Sequence, residues 1–211
     1  MKLTNDWNPT ATTITSVIKR YVIPVSLQEE FQRWNWRALL RRLEWGGNLY
    51  LKDEQVVLSD VVLGEEQTVE IPKPSNEVRN ALGTVHYHPH GTGPSTSDLV
   101  HWFVTAWYYV SPKLRPLFLI VHDDGFVWYL FPRREVLTAR FRKATLDYWG
   151  TYTLFLAAKT YFPKEMEKDT YAGMSAYLEF LTIKMMMDER LIIQGLAPYG
   201  KNVEIKFAIF D

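Results

Sequence analysis

Histidines are concentrated in one short stretch of this 211-residue chain. Of the five histidines, four lie between residues 86 and 101, namely His86, His88, His90 and His101. The first pair belongs to the run GTVHYH, which has the composition of a β-strand and is ended by a proline. Because side chains two residues apart on a strand project from the same face, the imidazoles of His86 and His88 can converge on one metal ion.

A serine and an aspartate three residues apart follow this pair. Ser95 and Asp98 have the spacing of a capping box, which predicts a helix from residue 95 to about residue 110. A carboxylate in the first turn of a helix is well fixed, so Asp98 can serve as a third ligand. Two imidazoles and one carboxylate would leave one position of a tetrahedral zinc ion open for water, which is the arrangement of a catalytic site.

Each half of this pattern also has an ordinary structural explanation. An isolated His-x-His pair is more often a pair of core or surface histidines, and Ser-x-x-Asp is a common helix start. Among the other histidines, His90 is expected in an exposed loop and His122 beside a hairpin turn. His101 lies one helical turn after Asp98 and is a candidate outer partner of a ligand.

The combination is more specific than its parts, and it resembles the motif of the JAMM (MPN+) zinc metallopeptidases. In that family His-x-His-Pro is followed by Ser-x-x-Asp, as in HYHP and STSD of this chain. A glutamate precedes them at the end of the first helix, before a glycine and an apolar strand. Glu44 in EWGGNL occupies the corresponding place, and Glu29, Glu30 and Glu54 are its rivals.

This resemblance covers residues 12–132 and departs from the family pattern in two places. Six residues separate His88 from Ser95, where seven are common, and the shorter loop could shift Ser95 and Asp98 relative to the histidines. Tyr87 stands between the two histidines, where serine or threonine is usual. On a strand its side chain should point to the opposite face of the sheet, away from the metal.

The resemblance implies one zinc ion per chain, held by His86, His88 and Asp98. Such an ion lowers the pKa of water that binds to it and polarises the scissile carbonyl. Glu44 would act as the general base and then as the general acid. Ser95 would donate a hydrogen bond to the developing oxyanion. The implied activity is that of a deubiquitinase-like isopeptidase, which hydrolyses peptide or isopeptide bonds after the tail of ubiquitin or a ubiquitin-like modifier.

Two other functions remain open on the same residues. The chain could be a non-catalytic MPN-type scaffold that binds partners, or a zinc hydrolase of a small amide or peptide. JAMM domains resemble cytidine deaminases in architecture, but deaminase sites use cysteine ligands and this chain has no cysteine. Any metal must therefore be held by histidines and carboxylates.

The composition of the chain indicates which partners and which cellular compartment to expect. Lysine plus arginine (24) equals aspartate plus glutamate (24), so no excess of positive charge favours nucleic acid as a partner. The longest apolar runs, such as LFLIV, are too short to cross a bilayer. The absence of cysteine is typical of a cytoplasmic protein, and a homodimer is possible.

The order of predicted elements indicates an α/β (α+β) fold, a mixed β-sheet flanked by helices around an MPN/JAMM core. The sequence predicts a strand at 12–25, a helix opened by a Ser26–Glu29 capping box, and two strands that turn at Asp53-Glu54. A loop at 64–80, the strand at 83–88, the helix at 95–110 and a hairpin around residues 123–125 follow.

The remainder is predicted as a C-terminal extension. We place the metallopeptidase domain at residues 1–140 and a helical and strand extension, packed on that core, at residues 141–211. Helices are expected at 133–148 and 166–187. The runs LIIQGL and VEIKFAIF are expected to pair with each other as a closing strand pair.

Overall fold

The computed structural model describes residues 16–66, 68–74, 80–89, 91, 93–141 and 182–210. These residues form eight strands and two complete helices, with further helical segments at 134–141 and 182–188. In chain order the elements are β1 (Ser16–Ile23), α1 (Val25–Arg41), β2 (Trp45–Lys52), β3 (Gln55–Leu63), β4 (Ala81–Tyr87), α2 (Thr96–Tyr108), β5 (Leu117–Val121), β6 (Gly125–Leu130), β7 (Ile193–Pro198) and β8 (Val203–Phe210). No helix among them combines the length and the apolar character that crossing a membrane requires.

All eight strands belong to one mixed sheet in the order β7-β6-β5-β4-β2-β3-β1-β8. The pairs β1–β3 and β4–β5 are parallel, and the remaining neighbours are antiparallel. The prediction of a mixed sheet flanked by helices is therefore confirmed. The turn between β2 and β3 is also as predicted, because Asp53 and Glu54 both adopt positive φ angles, 49° and 64°.

The two C-terminal strands do not pair with each other, so the predicted closing strand pair is wrong. Instead, β7 pairs with β6 and β8 pairs with β1, at opposite edges of the sheet. The connection from Pro198 to Val203 can span at most about 18 Å, whereas eight flat strands would be roughly 34 Å wide. The sheet must therefore curl until its two edges approach each other.

Helix α1 contacts the connection that joins these two edges. The side chain of Gln28 donates to the carbonyl of Lys201 (2.7 Å) and accepts from the N–H of Gly200 (3.0 Å). Asn202 Oδ1 accepts from the N–H of Val25 at 3.0 Å. Contacts between residues more than 170 positions apart thus hold the curl closed.

The first turn of α1 also corrects a prediction, because no capping box forms at Ser26. The N-cap residue is Pro24, which has no capping side chain, and Ser26 lies inside the first turn. The carbonyl of Pro24 accepts from the N–H groups of Leu27 and Gln28. The side chain that caps the start of this helix is that of Asn202, which accepts from the N–H of Val25 and lies near the other end of the chain. The local Ser-x-x-Glu spacing was therefore misleading.

The sheet separates two apolar cores. One lies on the α1 side and contains Val85 and Tyr87 of β4. The other lies on the α2 side and contains Trp102 and Phe118. The ring of His86 lies 6.2 Å from that of Trp102, so it points to the α2 side, while Tyr87 packs on the α1 side as expected. Adjacent residues of β4 thus serve opposite faces of the sheet.

The C-terminal third of the chain is described only in part. The predicted helices at 133–148 and 166–187 are represented by helical residues 134–141 and 182–188, and the rest of both ranges lies outside the described residues. Residues 64–66 and 68–74 of the predicted loop form no strand. The boundary near residue 140 stays a prediction, but β7 and β8 of the extension complete the same sheet as the strands that precede it.

Candidate metal centre

The two histidines of the motif lie at the end of β4. His86 is the penultimate residue of the strand and His88 follows its last residue; their exposed fractions are 4% and 8%. Beyond the strand, three hydrogen bonds fix the backbone of His88. Its N–H donates to the carbonyl of Val121 (2.9 Å), and its carbonyl accepts from the N–H of Gly91 (3.3 Å) and from Nδ1 of His122 (3.1 Å).

Asp98 is placed by the start of α2, where the predicted capping box does form. The backbone N–H of Ser95 donates to Asp98 Oδ2 at 2.6 Å, and the N–H of Asp98 donates to Ser95 Oγ at 3.2 Å. The Ser95 hydroxyl also lies 2.7 Å from Asp98 Oδ2. The carboxylate is therefore fixed by its own helix terminus, as expected from the spacing.

The three side chains come together with the spacing of metal ligands. His86 Nε2 lies 2.9 Å from His88 Nε2, and the carboxylate oxygens of Asp98 lie 3.4 Å and 3.6 Å from these two nitrogens. Two ligands that are each about 2.0 Å from a tetrahedral zinc ion are about 3.3 Å apart. The three side chains therefore lie close enough to hold one metal ion, and the six-residue loop does not keep Asp98 away.

The electrostatics of the site favour an ionised Asp98. Burial opposes ionisation, but the hydrogen bond and charge of His86 and the hydrogen bonds from Ser95 hold the pKa of this carboxyl far below its ordinary value. A carboxyl group must be deprotonated to bind a metal. Asp98 therefore meets this requirement at any physiological pH.

Glu44 lies close to this group, although it is not at the end of a helix. Helix α1 ends at Arg41, and Glu44 belongs to the connection before β2, where its backbone exchanges hydrogen bonds with Gly64 and Glu65. Gly46 is paired with His86, so Glu44, two residues earlier, projects from the same face. Burial raises the pKa of Glu44; charge on His86 opposes this change and charge on Asp98 adds to it.

The rival glutamates lie elsewhere. Glu54 forms a surface ion pair with Arg20, Glu30 is near Arg33 on α1, and Glu29 is exposed on the same helix. Of the four candidates, Glu44 alone lines the cleft that contains the metal ligands.

That cleft has a volume of about 830 Å³ and extends well beyond the ligand triangle. Its floor is formed by β2 and β4. One wall is formed by Glu66 and residues 68–74, and the other by Asp98, His101 and Thr105 on one face of α2 and by Tyr109 just after its end. Along α2 the cleft runs for about 16 Å, at 1.5 Å per residue, which is the length of roughly five residues of extended peptide.

Two floor residues, Asn48 and Thr84, were not predicted as site residues. Asn48 Nδ2 donates to Asp60 Oδ2 (3.1 Å) and to the carbonyl of Pro72 (2.9 Å). Asn48 Oδ1 and Thr84 Oγ1 are buried and have no hydrogen-bond partner among the described residues. Since Thr84 is two residues before His86 on the strand, the same alternation that identified the histidines could have found it.

The remaining histidines do not join the ligand triangle. His101 lines the cleft, and its Nε2 lies 3.5 Å from Thr105 Oγ1. Desolvation lowers the pKa of His101, and charge on His86 lowers it further. His122 is buried between β5 and β6, beside the hairpin turn as expected, whereas His90 lies outside the described residues.

Comparison with known proteins supplies no family for this chain. A scan against protein-family models finds no match, and a search of curated proteins finds no matching relative.

Proposed function

We propose that this chain is a zinc-dependent metallopeptidase of the JAMM type, which hydrolyses peptide or isopeptide bonds. One observation carries the proposal: three ligand atoms with zinc-like spacing lie in a cleft that also contains a half-buried carboxylate of raised pKa, that of Glu44. The motif that resembles the JAMM family supplies the reaction type, and the geometry supports each of its residues.

Each residue of the site has a proposed role that follows from its position. His86, His88 and Asp98 would hold zinc, which supplies Lewis acidity to a carbonyl and to water. The raised pKa of Glu44 lies closer to neutral pH, which suits a group that exchanges protons. Glu44 would accept the proton of the attacking water and deliver it to the leaving amine. For Ser95 to stabilise the oxyanion, its hydroxyl hydrogen must turn from Asp98 Oδ2 toward the cleft.

The substrate that fits this cleft best is an extended peptide tail. The described residues supply no hydrogen-bond partner to the backbone of residues 69–71, which form part of the cleft wall. An extended chain could add beside this segment and satisfy those groups as a strand does. By resemblance, we propose the tail of ubiquitin or a ubiquitin-like modifier as the substrate.

A cleavage assay with matched variants tests this function. Linear and isopeptide-linked fusions of several ubiquitin-like modifiers are incubated with zinc-loaded protein. We expect cleavage of at least one fusion by the parent and by Glu30→Gln, and loss of cleavage in Glu44→Gln. Glu30 is a suitable control because it lies on α1, outside the cleft.

Two outcomes would contradict the proposal in different ways. Cleavage by Glu44→Gln at the parent rate would exclude Glu44 as the base. A parent that binds zinc and cleaves none of the fusions would favour a partner-binding scaffold or a hydrolase of small amides.

A further inference from the structure

We infer that Asn35, a buried residue of α1, is a positioning residue that fixes Glu44 and His88 relative to each other. It acts through Trp45 and His122 from the α1 side of the sheet, opposite the metal centre. The inference rests on the proposed function, because it concerns the spacing between the proposed base and a proposed zinc ligand.

The side chain of Asn35 is 5% exposed, and its hydrogen bonds join two distant parts of the chain. Its Oδ1 accepts from Trp45 Nε1 at 2.8 Å, and its Nδ2 donates to the carbonyl of His122 at 2.9 Å. An indole N–H can only donate and a carbonyl can only accept. The orientation of the amide is therefore determined by its partners, and no other residue type of this size offers both functions.

One branch of this network leads to Glu44. Trp45 is fully buried, and its ring contacts Phe31 and Trp34 of α1. Because consecutive side chains of a strand point to opposite faces, fixing Trp45 on the α1 side directs Glu44 into the cleft on the other side. The Asn35–Trp45 hydrogen bond thus fixes the position of the first residue of β2 relative to α1.

The other branch leads to His88. His88 lies beyond the last residue of β4, so its carbonyl is held by Gly91 and by His122 Nδ1 rather than by a strand partner. Since the carbonyl accepts, Nδ1 of His122 must carry the proton. The backbone of His122 is in turn fixed by Asn35 and by the Tyr199 hydroxyl, which donates to the same carbonyl at 2.8 Å.

Gln28 provides an internal comparison for Asn35. It lies two helical turns earlier on α1, is 1% exposed, and also uses its amide to join distant segments. Its partners are Ile23, Gly200 and Lys201, and none of its hydrogen bonds leads toward the metal centre. Loss of Gln28 should therefore weaken the fold without changing the spacing of the site.

The test measures zinc affinity and stability together in Asn35→Leu and Gln28→Leu. Zinc affinity is measured by competition with a chromophoric chelator, and stability by urea unfolding of the metal-free proteins. We expect both variants to lose stability. Asn35→Leu should also bind zinc about tenfold more weakly, at the lower end of the range for a direct partner of a ligand, because its effect reaches His88 through His122. Gln28→Leu should keep the zinc affinity of the parent.

Turnover gives a second readout, because a displaced base lowers kcat more than KM. Equal losses of zinc affinity in the two variants would overturn the inference, since stability alone would then explain them. Parental zinc affinity and kcat in Asn35→Leu would also overturn it and leave the proposed function intact. If the parent itself binds no zinc, the proposed function fails and the inference with it.

A milder pair of variants covers the case in which Asn35→Leu does not fold. His122→Asn keeps an N–H donor near the position of Nδ1, whereas His122→Ala removes it. We expect His122→Asn to approach the zinc affinity of the parent and His122→Ala to fall below it by about tenfold. Identical affinities in these two variants would show that the bond to His88 positions nothing.

Discussion

At the scale of single residues, the candidate site uses groups that also maintain local structure. Ser95 and Asp98 close the first turn of α2, and the Asp98 carboxylate is also one corner of the ligand triangle. A carboxylate held by its own helix start loses little conformational freedom when it binds a metal. Structural and chemical roles therefore have to be separated experimentally.

Two substitutions of Ser95 separate them. Ser95→Ala should destabilise the protein by about 1 kcal/mol, because alanine is a poor N-cap, whereas Ser95→Gly should cost only a few tenths. Neither substitution removes a proposed ligand, so both variants should retain zinc. Both lack the hydroxyl, so both should show the same loss of kcat. Urea unfolding and fusion-cleavage kinetics give the two quantities. Parental kcat in Ser95→Gly would mean that Ser95 acts only as a helix cap.

The charge of Asp98 can be removed while its capping geometry is kept. Asp98→Asn retains an oxygen that can accept from the N–H of Ser95 but is a far weaker ligand. We expect its loss of zinc affinity to exceed the ~10- to 100-fold effect that is usual for an outer partner. Chelator competition measures the change. Zinc affinity equal to that of the parent would remove Asp98 from the ligand set.

At the scale of elements, local sequence predicted well what local interactions determine. The alternation along β4, the capping box of α2 and the Asp53-Glu54 turn each depend on neighbours within a few residues. The start of α1 was predicted wrongly because its cap comes from Asn202, at the other end of the chain. Asn48 was overlooked because nothing in the run GGNLYL indicates that its face lines a cleft.

The close packing of β4 against β5 can be tested at Gly83, which precedes the histidine pair on β4. A Cβ on Gly83 would lie 1.9 Å from the carbonyl oxygen of Leu117 on the neighbouring strand. Gly83→Ala must therefore push β4 and β5 apart, and we expect a loss of about 1–3 kcal/mol of stability, as in other overpacked sites. Urea unfolding of the metal-free protein measures it.

Gly93 is the matched control, because a Cβ there meets nothing within 4 Å. Gly93→Ala should leave the urea midpoint close to that of the parent. Equal midpoints for both alanine variants would contradict the close approach of β4 and β5.

At the scale of the whole molecule, the order of strands was the feature that sequence could least predict. Strands that follow each other usually pair, and β7 and β8 are joined by a short connection, so a hairpin was the natural expectation. Instead, the two strands lie at opposite edges of the curled sheet, and the connection between them is bonded to α1. Such an arrangement depends on contacts across the entire chain.

This closure predicts how the protein responds to truncation. A chain that ends at residue 198 lacks β8, which pairs with β1 from Ser16 to Ile23, and lacks the Asn202 cap of α1. We expect it to lose cooperative urea unfolding, and a chain that ends at residue 140 to do the same. Asn202→Ala in the full chain should cost only about 1 kcal/mol. Cooperative unfolding of the 1–140 chain would instead support an independent domain there.

The central claim is that His86, His88 and Asp98 form a zinc site, and direct metal titration tests it. Metal-free protein is titrated with zinc in a calorimeter, beside His88→Ala and His122→Asn. We expect one zinc ion per chain for the parent and for His122→Asn, and loss of this binding in His88→Ala. Absence of binding in the parent, or equal binding in His88→Ala, would contradict it.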